Sequence, residues 1–181
     1  MNSSLGIHEG AGIILEIGFE VRGLAIGDYV VLSYDSCGAC RHCVEEKNHQ
    51  CQEIVKRNFG AQRIDQTKTI KWKGNPISSR FFGQSSFLNP AIVRAGSCVK
   101  VASSLDLSVA CSLGCGIQTG AGAIFNVVKP VEKKANSLVI FGLGAVGIAA
   151  LMATKVIADD SPGCSQIPLG RCEREQTKIS Q

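Results

Sequence analysis

Four cysteines, Cys37, Cys40, Cys43 and Cys51, fall within fifteen residues in DSCGACRHCVEEKNHQC, at the spacing C-x2-C-x2-C-x7-C. This cluster restricts the fold more than any other feature, because sulfurs this close along the chain must share a ligand or pair with each other. A soft, tetrahedral, redox-inert ion suits them, and zinc accepts an all-sulfur shell at about 2.3 Å. Four protein ligands leave no open coordination position, so such a metal organises a loop and performs no chemistry. Two other readings compete. A disulfide framework belongs to small secreted domains, but the N-terminal MNSSLGIHEGAG shows no basic stretch followed by an apolar run, and the nine cysteines are an odd number. An iron–sulfur run also opens C-x2-C-x2-C, but there the fourth cysteine follows after three residues and precedes proline. Here seven residues intervene and Gln52 follows Cys51.

At 181 residues the chain has room for one domain, or for one domain and part of another. Its net charge of +4 is scattered and only 6% of its residues are aromatic, so a nucleic-acid partner is not expected. Cysteines kept as metal ligands point to a reducing compartment, the cytoplasm. The uncharged run Ser137 to Thr154 approaches the length of a membrane span. Gly142, Gly144 and Gly147 interrupt it as turn punctuation, however, and a strand, a glycine turn and a buried helix explain it without a membrane.

The first two-thirds of the chain read as short strands between turns, the pattern of a barrel or sandwich. Ala11 to Ile17 and Asp28 to Tyr34 are apolar runs rich in β-branched residues, joined by a loop. Phe59 to Ile70, Ser79 to Ser86 and Ala91 to Val101 continue as short segments broken by Gly, Asn and Pro. Leu105 to Cys111 has helical spacing, with Ser104 available as a cap and Asp106 favouring a helix start. A helix is predicted over Thr119 to Val128, ended by Lys129-Pro130. Leu138 to Phe141 lacks polar alternation and is predicted to be a strand buried on both faces, followed by a helix over Ala145 to Ala158. Residues 159–181 are polar, carry two prolines, and read as a disordered tail.

Gly142-Leu143-Gly144-Ala145-Val146-Gly147 is G-x-G-x-x-G between that strand and that helix. In this arrangement the first glycine makes the turn, the second lets backbone approach a pyrophosphate, and the third lets helix and strand pack closely. The acidic residue that should follow about 20 residues later, to bind ribose, is missing from its expected place. His8-Glu9 and Cys115 are further candidates, each ambiguous alone. Cys98, Cys111, Cys164 and Cys172 are taken as non-ligands, with Cys111 the one that could contest Cys115.

In order, the chain carries HEGAG, GDYVV, the four-cysteine run, NFGAQR, FFGQSSF, LGCGIQTGAG and GLGAVG. This series resembles the medium-chain, zinc-dependent alcohol dehydrogenases over residues 5 to 158, and NFGAQR and FFGQSSF resemble the aryl- or benzyl-alcohol branch. The resemblance implies a mixed α/β chain. A GroES-like, partly open β-barrel catalytic domain would span residues 1–131, and the first strand and helix of a Rossmann NAD-binding domain residues 132–158. It implies NAD-dependent oxidation of primary alcohols, aryl alcohols included, to aldehydes, with a Lewis-acid zinc in the cleft. Cys37, Cys40, Cys43 and Cys51 would hold a structural zinc. His8 and Cys115 would ligate the catalytic zinc, with Glu9 as its acidic neighbour and Thr119 near substrate and cofactor. Residues Gly142 to Gly147 would meet the cofactor's pyrophosphate. The family's first catalytic cysteine lies upstream of the segment that contains His8, where this sequence has seven residues and no cysteine, and Ile7 stands where the family has glycine. The expectation is therefore a relative truncated at both ends. Its alternative function is that of a catalytically inactive zinc-binding remnant, able to self-associate through the exposed Rossmann segment.

Overall fold

The computed structural model describes residues 4–5, 8–135 and 137–160. They form two compact units, Met1–Cys115 and Gly116–Gln181.

The first unit is built on strand β3 (Tyr29–Leu32). β3 lies between β2 (Ala11–Ile13) and β7 (Cys98–Lys100), antiparallel to both. Ala11 pairs with Val31 and Ile13 with Tyr29 on one side, and Val99 pairs with Val31 on the other. A strand covered on both faces carries apolar residues at successive positions, and Val30, Val31 and Leu32 are all buried. Shorter pairings complete the unit. β1 (Ser4–Leu5) runs parallel to β6 (Ser78–Ser79), and β4 (Lys71–Trp72) pairs antiparallel with β5 (Asn75–Pro76). Among the described residues these strands close no barrel, because the largest sheet holds three strands. The strand expected over Ala11 to Ile17 ends at Ile13: Ile14 already turns to exchange hydrogen bonds with the Gly27–Asp28 turn.

Three short helices follow β3. α1 (Arg41–Val44) lies within the cysteine run and carries Cys43, and α2 (Ile54–Phe59) follows it. α3 (Leu107–Ala110) is capped by Asp106, whose carboxylate accepts the Ser108 N–H at 2.9 Å. The cap is therefore Asp106 and not Ser104, and the helix is shorter than the spacing of Leu105, Val109 and Leu113 suggests. A 3-10 turn over Cys111–Gly114 continues the chain.

In the second unit, α4 (Gly116–Gly122) runs on into a π-helical stretch over Ala123–Val128, which ends at Lys129 in a left-handed conformation. α5 (Ala145–Asp160) packs on it around Ile124, Ala150 and Ala153, with Leu138 and Ile140 against the same core. The predicted strand over Leu138 to Phe141 does not form. No strand pairs with it among the described residues, and its exposure alternates: Val139 is 69% and Phe141 86% exposed. An apolar run is buried on both faces only when sheet neighbours and covering helices supply both faces. The tail was expected from residue 159, but α5 extends to Asp160; residues 161–181, with Cys164 and Cys172, lie outside the described residues. No single described helix is long and apolar enough to cross a membrane.

Candidate metal centres and the aromatic wall beside them

β3 delivers the chain into the cysteine loop. The four sulfurs of Cys37, Cys40, Cys43 and Cys51 all lie within 4.8 Å of one another. Cys37 and Cys43 are 3.8 Å apart and Cys40 and Cys43 3.6 Å. A tetrahedral zinc with bonds of about 2.3 Å needs sulfurs about 3.8 Å apart, so the set fits that ion. The S–S separations are far beyond a disulfide bond of about 2.05 Å, so the four are free thiols. Backbone N–H groups point at them as they would at thiolates. Cys37 Sγ accepts the N–H groups of Ala39 and Cys40, at 3.4 and 3.2 Å, and Cys51 Sγ accepts the Cys37 N–H at 3.3 Å. The N–H donors of Ala39 and Cys40 lower the Cys37 thiol. Those of Gln52 and Cys43 bring Cys40 down to about 6. Burial, and then the neighbouring sulfur of Cys40, push the Cys43 thiol up to about 11.

The loop is braced by a buried polar cluster. Asp35 is 2% and Asn58 1% exposed. The Asn58 side chain accepts the Asp35 N–H at 2.7 Å and donates to the Asp35 carbonyl at 2.8 Å and to the Ile54 carbonyl at 2.8 Å. The Asp35 carboxylate takes the guanidinium of Arg57 at 3.2 Å and that of Arg94 at 3.1 Å. A buried carboxylate persists only when charge and hydrogen bonds compensate its lost hydration, and this one has both.

A second donor set lies in the same unit. One ligand atom each from His8, Glu9 and Cys115 falls within 4.8 Å of the others. Three close fits bring these distant residues together. Gln84 is fully buried, and its amide donates to the His8 carbonyl at 3.2 Å while accepting the Ser86 hydroxyl at 2.5 Å. Leu32 N donates to the Gly10 carbonyl at 2.8 Å, so the segment after Glu9 follows β3. Gly114 lies so close to the Leu32 carbonyl that a methyl group there would overlap it, which fixes the approach of Cys115. Cys111 turns away to its own helix and donates to the Ser108 carbonyl at 3.3 Å, so it does not contest Cys115.

Beside His8 stands an aromatic wall. The His8 ring lies 4.7 Å from Phe82 and 5.3 Å from Phe81, and Phe59 meets both phenylalanines edge-on at about 5.5 Å. Phe82 holds a left-handed backbone at φ 58°, strain that persists only where the surroundings over-determine it. Sequence reasoning assigned no role to Phe59, Phe81, Phe82, Gln84, Asp35 or Asn58. For all of these but Asp35 the signal was present in NFGAQR and FFGQSSF, where amides sit beside aromatic residues with no surface pattern to explain them.

The remaining candidates lie in the second unit. Thr119 is exposed on α4. Gly142 has φ +88°, a conformation that favours glycine, and α5 begins at Ala145. Gly147 lies against the Gly142 carbonyl with no space for a side chain, while nothing approaches Gly144.

The sequence profile of the alcohol dehydrogenase GroES-like domain matches residues 4–103. Geraniol dehydrogenase of Castellaniella defragrans is 44% identical over 156 residues, covering 84% of this chain and 41% of the relative. Two crystal structures share the fold. An alcohol dehydrogenase zinc-binding domain protein from Burkholderia ambifaria aligns at TM-score 0.68 and 38% identity, covering 82% of this chain and 40% of that one. Benzyl alcohol dehydrogenase from Acinetobacter calcoaceticus aligns at TM-score 0.67 and 37% identity, covering 84% and 40%. The chain thus spans about two-fifths of the length of these relatives. The chain belongs to the alcohol dehydrogenase GroES-like domain family, within the medium-chain zinc alcohol dehydrogenases.

Proposed function

We propose that this chain is the metal-binding lobe of an NAD-dependent oxidoreductase that converts primary alcohols, aryl alcohols included, to aldehydes. The observation that carries the reading is the co-location in one unit of a four-sulfur set and a His–Glu–Cys set, with an aromatic wall against the histidine. Cys37, Cys40, Cys43 and Cys51 hold a structural zinc. His8 and Cys115 are donors to a second zinc, with Glu9 beside them. Bound there, zinc would supply a Lewis acid. The chain's own residues do the rest: Phe59, Phe81 and Phe82 exclude water and offer ring edges and faces to an aryl group, and Gln84 holds the His8 backbone in place. The relatives named for geraniol and benzyl alcohol support a small alcohol or aldehyde as partner.

Residues 132–158 are assigned to the start of the NAD-binding domain. The turn at Gly142 and the close fit at Gly147 support a pyrophosphate cradle at the N-terminus of α5, formed by residues 142–147. Thr119 is assigned to the neighbourhood of substrate and cofactor.

A second reading is a zinc-binding polypeptide without turnover. It is favoured by the makeup of the second donor set, which among the described residues holds one sulfur, and by the exposed Val139 and Phe141, apolar surface suited to self-association. Zinc counting on the purified chain, with NAD reduction by benzyl alcohol measured in parallel, separates the two. Two zincs and turnover support the enzyme; one zinc and no turnover support the second reading. Cys37→Ser should remove the structural zinc in either case, and unchanged zinc content in that variant would overturn the site assignment.

A further inference from the structure

α2 joins the four-sulfur set to the aromatic wall. At its start, Ile54 N donates to the Cys51 carbonyl at 3.0 Å. At its end, Phe59 packs edge-on against Phe81 and Phe82, and Phe82 lies 4.7 Å from the His8 ring. The helix has six residues, too few to hold a conformation by itself, so its anchors decide where it points. Asn58 is the anchor adjacent to Phe59. Its side chain bonds both backbone groups of Asp35, two residues before Cys37, and also the Ile54 carbonyl, three residues after Cys51. An ion shared by Cys37 and Cys51 therefore closes a ring, running from the ion through Cys37, Asp35, Asn58, Ile54 and Cys51 and back to the ion.

We propose that Asn58 is a positioning residue that transmits metal occupancy of the cysteine cluster to Phe59, and through Phe81 and Phe82 to the packing on His8. The proposal rests on reading Cys37, Cys40, Cys43 and Cys51 as a zinc site. With the ion in place the ring is closed and Phe59 is held against its partners. Without it, Cys51 is joined to Cys37 only by weak hydrogen bonds to sulfur, the N–H···S contact of 3.3 Å among them, and the helix start is released. The wall is sensitive to this because Arg80, at φ 65°, and Phe82 hold left-handed conformations that depend on close surroundings.

The test uses the full chain labelled with 4-fluorophenylalanine. Its seven phenylalanines give separate fluorine resonances, assigned with Phe59→Leu, Phe81→Leu and Phe82→Leu. Zinc content is measured on the same samples before and after chelation. In the parent, removal of zinc should move the Phe59 and Phe82 resonances. In Asn58→Leu, those resonances should already be displaced with zinc bound, and chelation should move them no further. Asn58→Asp, which keeps the volume but loses both donated bonds, carries the same expectation and serves if Asn58→Leu fails to fold. Asp35→Asn keeps the backbone groups that Asn58 binds and should retain the response. A chain that binds one zinc while Phe59 stays unmoved by its removal overturns the coupling alone, as does an undiminished response in both Asn58 variants. A chain that binds no zinc overturns the metal reading and the coupling with it.

Discussion

Gln84 offers the sharpest test of how the second donor set is built. Its side chain is fully buried, donates to the carbonyls of His8 at 3.2 Å and Ser33 at 3.5 Å, and accepts the Ser86 hydroxyl at 2.5 Å. Gln84→Leu keeps the approximate volume and removes all three bonds. The His8 carbonyl and the Ser86 hydroxyl are then left without this partner, and each such group costs about 1–3 kcal/mol. A total of about 3 kcal/mol is a reasonable middle value, and in a domain of this size it lowers Tm by about 12 °C. The metal arm is more specific. Freed of its amide anchor, the His8 backbone can drift, and loss of such a supporting bond weakens metal binding on the order of 10-fold. The four-sulfur set has no contact with Gln84 in its hydrogen bonds and should keep its zinc. Cobalt(II) titration reads the two sites separately, since the four-thiolate site gives intense sulfur-to-metal absorption and the mixed site a weaker band. A melting temperature within about 3 °C of the parent would refute the burial argument, that being less than 1 kcal/mol. Equal weakening of both sites would refute the assignment of Gln84 to His8.

Three other outcomes follow from the same contacts. Gly114→Ala forces a methyl group into the Leu32 carbonyl, and should cost about 1–3 kcal/mol by overpacking and displace Cys115, read as lower thermal stability together with loss of the weaker cobalt site. Asp35→Leu leaves Arg57 short of a buried partner and should cost about 3–5 kcal/mol. Arg94→Gln, whose side chain is 51% exposed, should cost less than about 1 kcal/mol; urea unfolding compares the two. Zinc uptake by the metal-free chain should release fewer than four protons at pH 7.5, because Cys40, at about 6, is already a thiolate there while Cys43, at about 11, is not. Lowering the pH through 6 protonates Cys40, so affinity falls and proton release rises by about one; calorimetry in buffers of different ionisation enthalpy measures it.

The four-sulfur set was legible because ligand chemistry is local. Four sulfurs within fifteen residues can be read from spacing alone, and the structure brings them within reach of a single ion. His8 and Cys115 are 107 positions apart, and only the family resemblance joined them; geometry then placed their donor atoms together. The misreadings came where the deciding partner is distant. Leu138 to Phe141 has the composition of a central strand, yet whether it becomes one depends on neighbours that its own residues do not encode. The run after Ile13 stays apolar through Ile17, but the Gly27–Asp28 turn captures Ile14 and ends the pairing. Ser104 was the expected cap and Asp106 was expected only to favour the helix start; Asp106 caps instead, because α3 begins at Leu107.

The polar residues that support the site were missed for a different reason. Asp35, Asn58 and Gln84 break the expectation that long polar side chains face water, and a pattern of apolar periodicity registers them only as interruptions. Yet the two amides bond mainly to backbone groups of segments that carry ligands: Asn58 to Asp35 beside Cys37, and Gln84 to His8 itself. An apolar core could supply the same burial but could not fix the distance between one backbone and another to within a few tenths of an ångström. Metal donors need that accuracy, and hydrogen bonds of fixed length supply it. On this argument, apolar replacement of the amides should loosen metal binding even in variants whose overall stability is restored by substitutions elsewhere. A stabilised Gln84→Leu chain that regained full affinity at the His8 site would show that burial alone was enough.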